Sequence, residues 1–387
     1  MRKVTVAERR ARLARRHLLA PGTQTDDVTA IADALVGLHS SDPVTVYLSA
    51  AARMAHPSIG AVSDALYVDH SLIRHHAMRR TLWVMTPAVA REAHAACTAG
   101  LVAPEWKRTV ALLESSDVTT DGDAWLHDAR RDVLAALHRL GSANTRQIGR
   151  EVPALTAPLH MAVGKSYAAS PAAHTRVLLL LGFDGAIVRG KPAGTWINGQ
   201  YEWWPMDAVL PGGIAGIDAP VARAALVRRL LWSFGPMTTD DVRWWLGATL
   251  GAVRRALADI DAVEVDCGWL LPDDLDVVGS PGHWTAVLPG LDPTTMGWSA
   301  RSWYLGAHGA EVFDRNGNGG PTLWVDGEIV GAWVQRKDGT IAHELLQPVS
   351  AAARRSLEQQ LSAIQELFGG VRHTVRFPAP IQRRLNA

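Results

Sequence analysis

The chain has 387 residues, 48% of them hydrophobic and 20% charged, with a formal net charge of +1. That length and apolar content predict a large buried core divided into roughly two to four domains or repeated modules. Near neutrality argues against a protein that coats nucleic acid through bulk charge alone.

No apolar run approaches the roughly eighteen residues of a membrane span, and the basic N-terminus lacks the apolar stretch of a signal peptide, so the expected location is the cytoplasm with no membrane partner. Cys97 and Cys267 lie far apart without metal-type spacing, which predicts two buried small apolar residues and no disulfide, metal or cofactor. Charge is unevenly spread. Residues 1–16 carry seven Arg/Lys against one Glu, residues 371–387 carry four Arg and no acid, and residues 259–276 hold seven acids and no base. Such segments suit one positive face, although charge runs are commonly just solvated surface.

In chain order, Val6 to Leu19 reads as a helix broken at Pro21-Gly22. A second helix, Asp26 to Val36, has Val28, Ile31, Ala32, Leu35 and Val36 at three-and-four spacing and is capped by Thr25 or Asp26. Gly37 weakens it and Pro43 drives Asp42 out of helical space, so His39, Ser40, Ser41 and Asp42 are expected on an exposed turn. This turn carries every group needed to hold a water molecule. Its bland alternative is a set of turn and capping residues.

Helices follow to Met54 and around Ile59 to Tyr67. Ser71 to Met85 then reads as a hairpin with Met78-Arg79-Arg80 at its tip, and helices followed by a basic two-stranded wing predict a winged helix. The pattern recurs. Ala129 to Leu140, Thr145 to Glu151 capped by Asn144, and Ala172 to Leu181 are the next helices. Ile187 to Arg189 and Thr195 to Ile197 would form a second wing around residues 190–194, bearing Arg189 and Lys191. Residues 211–216 look like a Gly-rich linker. A third copy runs from Val221–Phe234 through a helix opened by Met237-Thr238-Thr239 and another at Thr249–Ile260 to a hairpin at Val263–Leu271; its acidic wing should avoid phosphates. From Trp284 strands dominate, with a hairpin over Leu323–Gln335, a strand to Leu345 and a helix over Ala351–Phe368. Asp314 to Gly320 could bind an anion through backbone amides or be a plain loop.

The resulting expectation is an α+β fold: a winged helix with N-terminal helices over 1–120, a second winged helix over 121–216, a third over 217–280, and a β-rich, barrel-like region with a terminal helix over 281–387.

Five motifs stand in order along nearly the whole chain: Gly37-Leu38-His39-x-Ser41-Asp42-Pro43, Met78-Arg-Arg-Thr-Leu82, Gly235-Pro-Met-Thr-Thr-Asp-Asp-Val-Arg-Trp-Trp245, Leu288-Pro289-x-Leu-Asp292-Pro293 and Asp326-Gly-x-Ile-Val-Gly-x-Trp333. Together the set resembles bacterial winged-helix DNA glycosylases of the AlkZ/YcaQ type. The resemblance implies tandem winged helices around a concave DNA-binding face, and excision of bulky N7-alkylated purines, in some members crosslinks, from double-stranded DNA by a monomeric enzyme. His39 and Ser41 fall where that family carries Gln-x-Gln or Gln-x-Asp, with Asp42 one residue beyond. An N7-alkylated base is cationic and leaves readily, so the enzyme must mainly stabilise an oxocarbenium-like sugar and place water.

His39, Ser41 and Asp42 are therefore the candidate catalytic residues, His39 accepting a proton if its pKa lies near neutrality. Arg12, Arg15 and Arg16 of the first helix, Met78, Arg79, Arg80 and Trp83 of the hairpin, and Arg189 and Lys191 of the second wing are the candidate DNA contacts. Alternatives are a non-catalytic DNA binder or regulator on the same scaffold, and a protein that sequesters a DNA-reactive natural product.

Overall fold

The computed structural model describes every residue except 163 and 167. Thr5 caps α1 (Val6–Arg16) by accepting from Glu8 N, and Asp27, one residue past the expected cap, begins α2 (Val28–Ala34). The chain does not then turn at the surface. Val36 and Gly37 adopt φ of 55° and 130°, and Leu38–His39 becomes strand β1, with His39 opposite Trp83. A Cβ on Gly37 would lie 2.8 Å from Met85 Cγ, so both its backbone angle and the close strand approach require glycine. Asp42 caps α3 (Pro43–Ala51), whose Pro43 occupies the first turn.

After α4 (Ile59–Tyr67) comes the expected hairpin, β2 (Ile73–His76) and β3 (Leu82–Met85), joined by a 3-10 turn at Met78–Arg80; β1 completes a sheet of order β1-β3-β2. Helices α5 (Pro87–Ala93), α6 (Val102–Ser115) and α7 (Gly122–Leu140) lead to α8 (Thr145–Glu151), closed by an Asn144–Gln147 capping box, and α9 (His174–Asp184). The second hairpin pairs β4 (Ile187–Pro192) with β5 (Tyr201–Pro205). Its return strand lies beyond the expected Thr195–Ile197 because Trp196 packs inward, 5.1 Å from the Tyr47 ring and 5.6 Å from Phe368. After α10 (Met206–Val209), the supposed linker is packed down: Ile214 is buried, and Arg91 donates to the carbonyls of Pro211 and Gly213.

The third helix set follows its expected outline: α11 (Ala219–Phe234), α12 (Thr239–Leu246), α13 (Leu250–Asp259) and the hairpin β6 (Val263–Val265) with β7 (Gly268–Leu270). The C-terminal strands are β8 (Thr285–Leu288), β9 (Thr322–Val325), β10 (Glu328–Gln335) and β11 (Ile341–Leu345), with short helices α14 (Pro293–Met296), α15 (Ser302–Leu305) and α16 (Gly309–Val312) after β8. They form an antiparallel meander of order β11-β10-β9-β8 rather than the expected barrel; among the described residues β8 and β11 remain its open edges. Helix α17 (Ala351–Phe368) covers the sheet, and Leu357, Leu361, Ile364 and Phe368 pack with Val287, Leu323, Val330 and Trp333 and with Val44 and Leu48 of α3. A last helix, α18 (Pro380–Leu385), follows an extended tail. The whole is an α+β fold.

The Asp314–Gly320 loop is no anion cradle, because the Asp314 carboxylate already accepts from the amides of Asn316 and Asn318. Cys97 and Cys267 are half-buried rather than fully so. The largest core cluster draws residues from Leu13 to Ile381 and joins the first hairpin, the third helix set and the C-terminal part, while α6–α9 pack in a second cluster that runs from Leu113 to Trp203. At the edge of the largest cluster Arg53, two residues past the end of α3, and Asp292 form a bidentate pair at 2.9 and 3.0 Å, both 0% exposed. Ser49 Oγ and Thr294 N donate to Asp292, and Arg53 donates further to Thr294 Oγ1 and to the carbonyls of His17 and Ser49. This pair ties the helix that begins at Asp42 to the C-terminal part.

Candidate functional site

The turn between β1 and α3 is buried, contrary to the exposed loop expected of it. His39 is 5% exposed, its ring edge-on to Trp83 at 4.9 Å, and its Nδ1 accepts from Ser41 N at 3.4 Å. Burial and the nearby Arg79 charge push its pKa down to about 3, so the imidazole is neutral at physiological pH. That removes the near-neutral proton acceptor foreseen from sequence. Asp42 is also occupied: Oδ1 accepts from Val44 N as the cap of α3, and Oδ2 lies 3.5 Å from His373 Nε2 in the C-terminal tail.

Ser40 and Ser41 open into a cleft of about 430 Å³, whose other walls include His76, Arg80, Arg189, Tyr201, Arg376 and Phe377. His39 and Asp42 do not line it. Behind Ser40, the buried Arg74 donates from Nε to Ser40 Oγ at 2.9 Å and from Nη1 to Tyr67 Oη at 2.8 Å. Arg376 donates to the Ser41 carbonyl at 2.7 Å, so the tail clasps this turn from the far end of the chain. Burial and Arg189 push the His76 pKa down to about 3, leaving that ring neutral. Arg189, Gly199 and Tyr201 also line a larger groove of about 910 Å³ that runs to Asn144, Arg146 and Arg150 on α8.

The candidate DNA contacts fare unevenly. Arg12 is buried, its guanidinium held by Glu8 at 2.9 Å and Asp274 at 2.9 Å, and Arg16 pairs with Asp274 at 2.5 Å. The acidic run thus folds onto the basic first helix and neutralises it, leaving Arg15 exposed. Arg12 therefore has no surface for a phosphate. Met78 and Trp83 are 0% and 1% exposed, Trp83 packing against Trp245 at 5.0 Å and donating from Nε1 to Thr81 Oγ1, so neither is a wedge on the surface. Arg79 and Arg80 both take left-handed backbone angles at the hairpin tip. Arg79 stacks on Trp244 at 4.0 Å, while Arg80 is exposed at the cleft rim. Arg189 stacks on Trp203 at 5.1 Å, and Lys191 is exposed on β4.

The sequence model for AlkZ-like DNA glycosylases matches residues 32–367. The chain belongs to the AlkZ-like DNA glycosylase family. No curated protein matches this AlkZ-like chain. Among solved structures it is similar to a Streptomyces sahachiroi DNA glycosylase, AlkZ, with a TM-score of 0.72 and 18% identity over 98% of this chain and 99% of that one. At that identity the likeness speaks to fold alone, while the family match carries DNA as the partner of this AlkZ-like protein. Among its described residues no helix is long and apolar enough to cross a membrane.

Sequence reasoning placed Ser40 on the turn without making it a candidate site residue, and missed Tyr201, His373 and Arg376. Arg376 acquires its place only because a tail 335 residues away returns to Ser41.

Proposed function

We propose that this protein removes bulky N7-alkylated purines from double-stranded DNA as a monomeric, monofunctional glycosylase. The observation that carries the reading is the Ser40-Ser41 turn opening into a cleft walled by Arg80, Arg189 and Arg376, with no Asp or Glu among its described lining residues. We read the three helix sets with their hairpins as tandem winged helices that lay DNA along this cleft and the groove beside α8.

In the reaction the C1′–N9 bond breaks and its electron pair stays on the base, which leaves neutral because N7 alkylation had made it cationic. Water bonds to C1′ and its proton passes to bulk solvent. Little acid catalysis is needed; the enzyme must place water and stabilise positive charge on the sugar. Ser41 Oγ at the cleft wall orients the water, and the Asp42 carboxylate contributes negative charge one residue behind it. Neutral His39 acts from behind the cleft: its Nδ1 accepts from Ser41 N and so holds Ser41 in place, at the position where the family pattern has an amide.

The test is a gel assay for abasic sites on duplexes carrying N7-methylguanine or a bulkier N7 adduct. Strand breaks after alkali at the modified base support the reading. Binding without breaks on every adduct would favour a non-catalytic DNA binder, which the engagement of both Asp42 oxygens and the withdrawal of His39 from the cleft also support.

A further inference from the structure

Eight buried side-chain polar atoms lack a hydrogen-bond partner among the described residues, and three of them gather behind one wall of the cleft: Arg74 Nη2, Arg189 Nε and Tyr201 Oη. Both guanidinium groups flank the Tyr201 ring. The Arg74 guanidinium lies 4.4 Å from the Tyr201 ring centroid and the Arg189 guanidinium 5.9 Å. None of Arg74, Arg189 and Arg376 forms an ion pair among the described residues, although the chain pairs many of its other arginines. Arg189 is the most revealing, since burial and the charges of Arg74 and Arg376 pull its pKa down to about 10. Arg74 is buried and Arg189 half-buried, and guanidinium groups withdrawn from water without a carboxylate partner are costly unless an anion offsets them.

We propose that this cleft is a binding site for one DNA phosphodiester, held by Arg189, Arg376 and Tyr201 Oη with the Arg74 charge behind them. It rests on the reading of the protein as a DNA glycosylase and adds which phosphate group that protein grips: the one attached to the nucleotide presented to Ser40 and Ser41. Arg376 links the two tasks, because the guanidinium that faces the cleft also donates to the Ser41 carbonyl. Seating the phosphate therefore fixes the turn that places water. A bidentate guanidinium and a phenol match the tetrahedral oxygens of a phosphodiester, whereas the neutral His76 ring adds no competing charge.

The test uses the full-length protein and a duplex with a tetrahydrofuran abasic analogue, in which single phosphates flanking the analogue are replaced by neutral methylphosphonates. Binding should fall about tenfold or more at one position and little elsewhere, and that penalty should vanish in Arg189→Met and in Arg376→Met. Tyr201→Phe supplies a control for folding: its hydroxyl has no partner in the free protein, so the variant should melt at the same temperature or higher yet bind the duplex several-fold more weakly. A penalty spread evenly over all positions, or one that persists unchanged in both arginine variants, overturns the phosphate site while leaving DNA binding intact. Competition by inorganic phosphate at millimolar levels with no preference for position would reassign the cleft to free phosphate and overturn the proposal. Failure of the wild-type protein to bind any duplex would overturn the glycosylase reading itself.

Discussion

His39 shows how burial changes the chemistry available to a side chain. Held against Trp83 beside the Arg79 charge, its pKa of about 3 means that it neither carries charge at pH 7 nor takes a proton readily. A base is most effective when its pKa lies near the working pH, so a positioning role follows. Under the proposed reaction His39→Ala should lower excision by ~10²-fold, whereas His39→Gln, which keeps one donor and one acceptor, should stay within about tenfold of wild type. Single-turnover rates should also be flat from about pH 5 to 8. A His39→Gln variant as inactive as alanine, together with a rate falling through a midpoint near 6.5, would restore the general base.

At the scale of elements, α3 is the part on which the site depends. Its N-cap is Asp42, and just past its C-terminus the Arg53–Asp292 pair joins the packing of Val44 and Leu48 in holding it to the C-terminal part. Burial alone would raise the Asp292 pKa, but the Arg53 guanidinium and the surrounding donors outweigh it and hold the carboxyl below its ordinary value. Asp292→Asn leaves Arg53 charged and sealed from water, and should cost about 3 to 5 kcal/mol, read as a lower denaturant midpoint at unchanged slope. Ser49→Ala removes one donor to Asp292 and should cost about 1 to 3 kcal/mol. An Asp292→Asn loss under about 1 kcal/mol would show that the pair does not anchor the helix. The contribution of Asp292 is present above the unfolded carboxyl value near 4 and is lost only as pH falls through its depressed folded value.

For the whole molecule, buried histidines set a different pH window. His17, His39 and His76 are each pushed down to about 3 and His75 well below its ordinary value, in every case by burial first. The unfolded chain takes up protons on these rings near pH 6.5, and the folded chain does not. Below that value the unfolded state therefore binds more protons, and stability rises with pH. Melting temperature should drop steadily from pH 7 to pH 5, above the range in which carboxylates contribute. A melting temperature constant over that interval would mean that these rings are reached by solvent.

By itself the sequence determined the local elements and the family pattern, because caps, glycines and apolar spacing act over a few residues. Thr238 with Asp241, Asn144 with Gln147, and the Asp326-Gly327 turn all sit where short-range chemistry requires. Several of the motif residues that carry the resemblance prove to be joints: Asp292 pairs with Arg53, Asp241 also accepts from Ser299, and Trp333 donates to the Leu288 carbonyl. Tertiary structure alone decided which charges remain available. The acidic run folds back onto α1 and cancels Arg12 and Arg16, while Arg74, Arg189 and Arg376, spread over some 300 residues, converge beside Ser40 and Ser41 without forming an ion pair among the described residues. Charge interactions depend on distance in space and on burial, neither of which a linear spacing encodes.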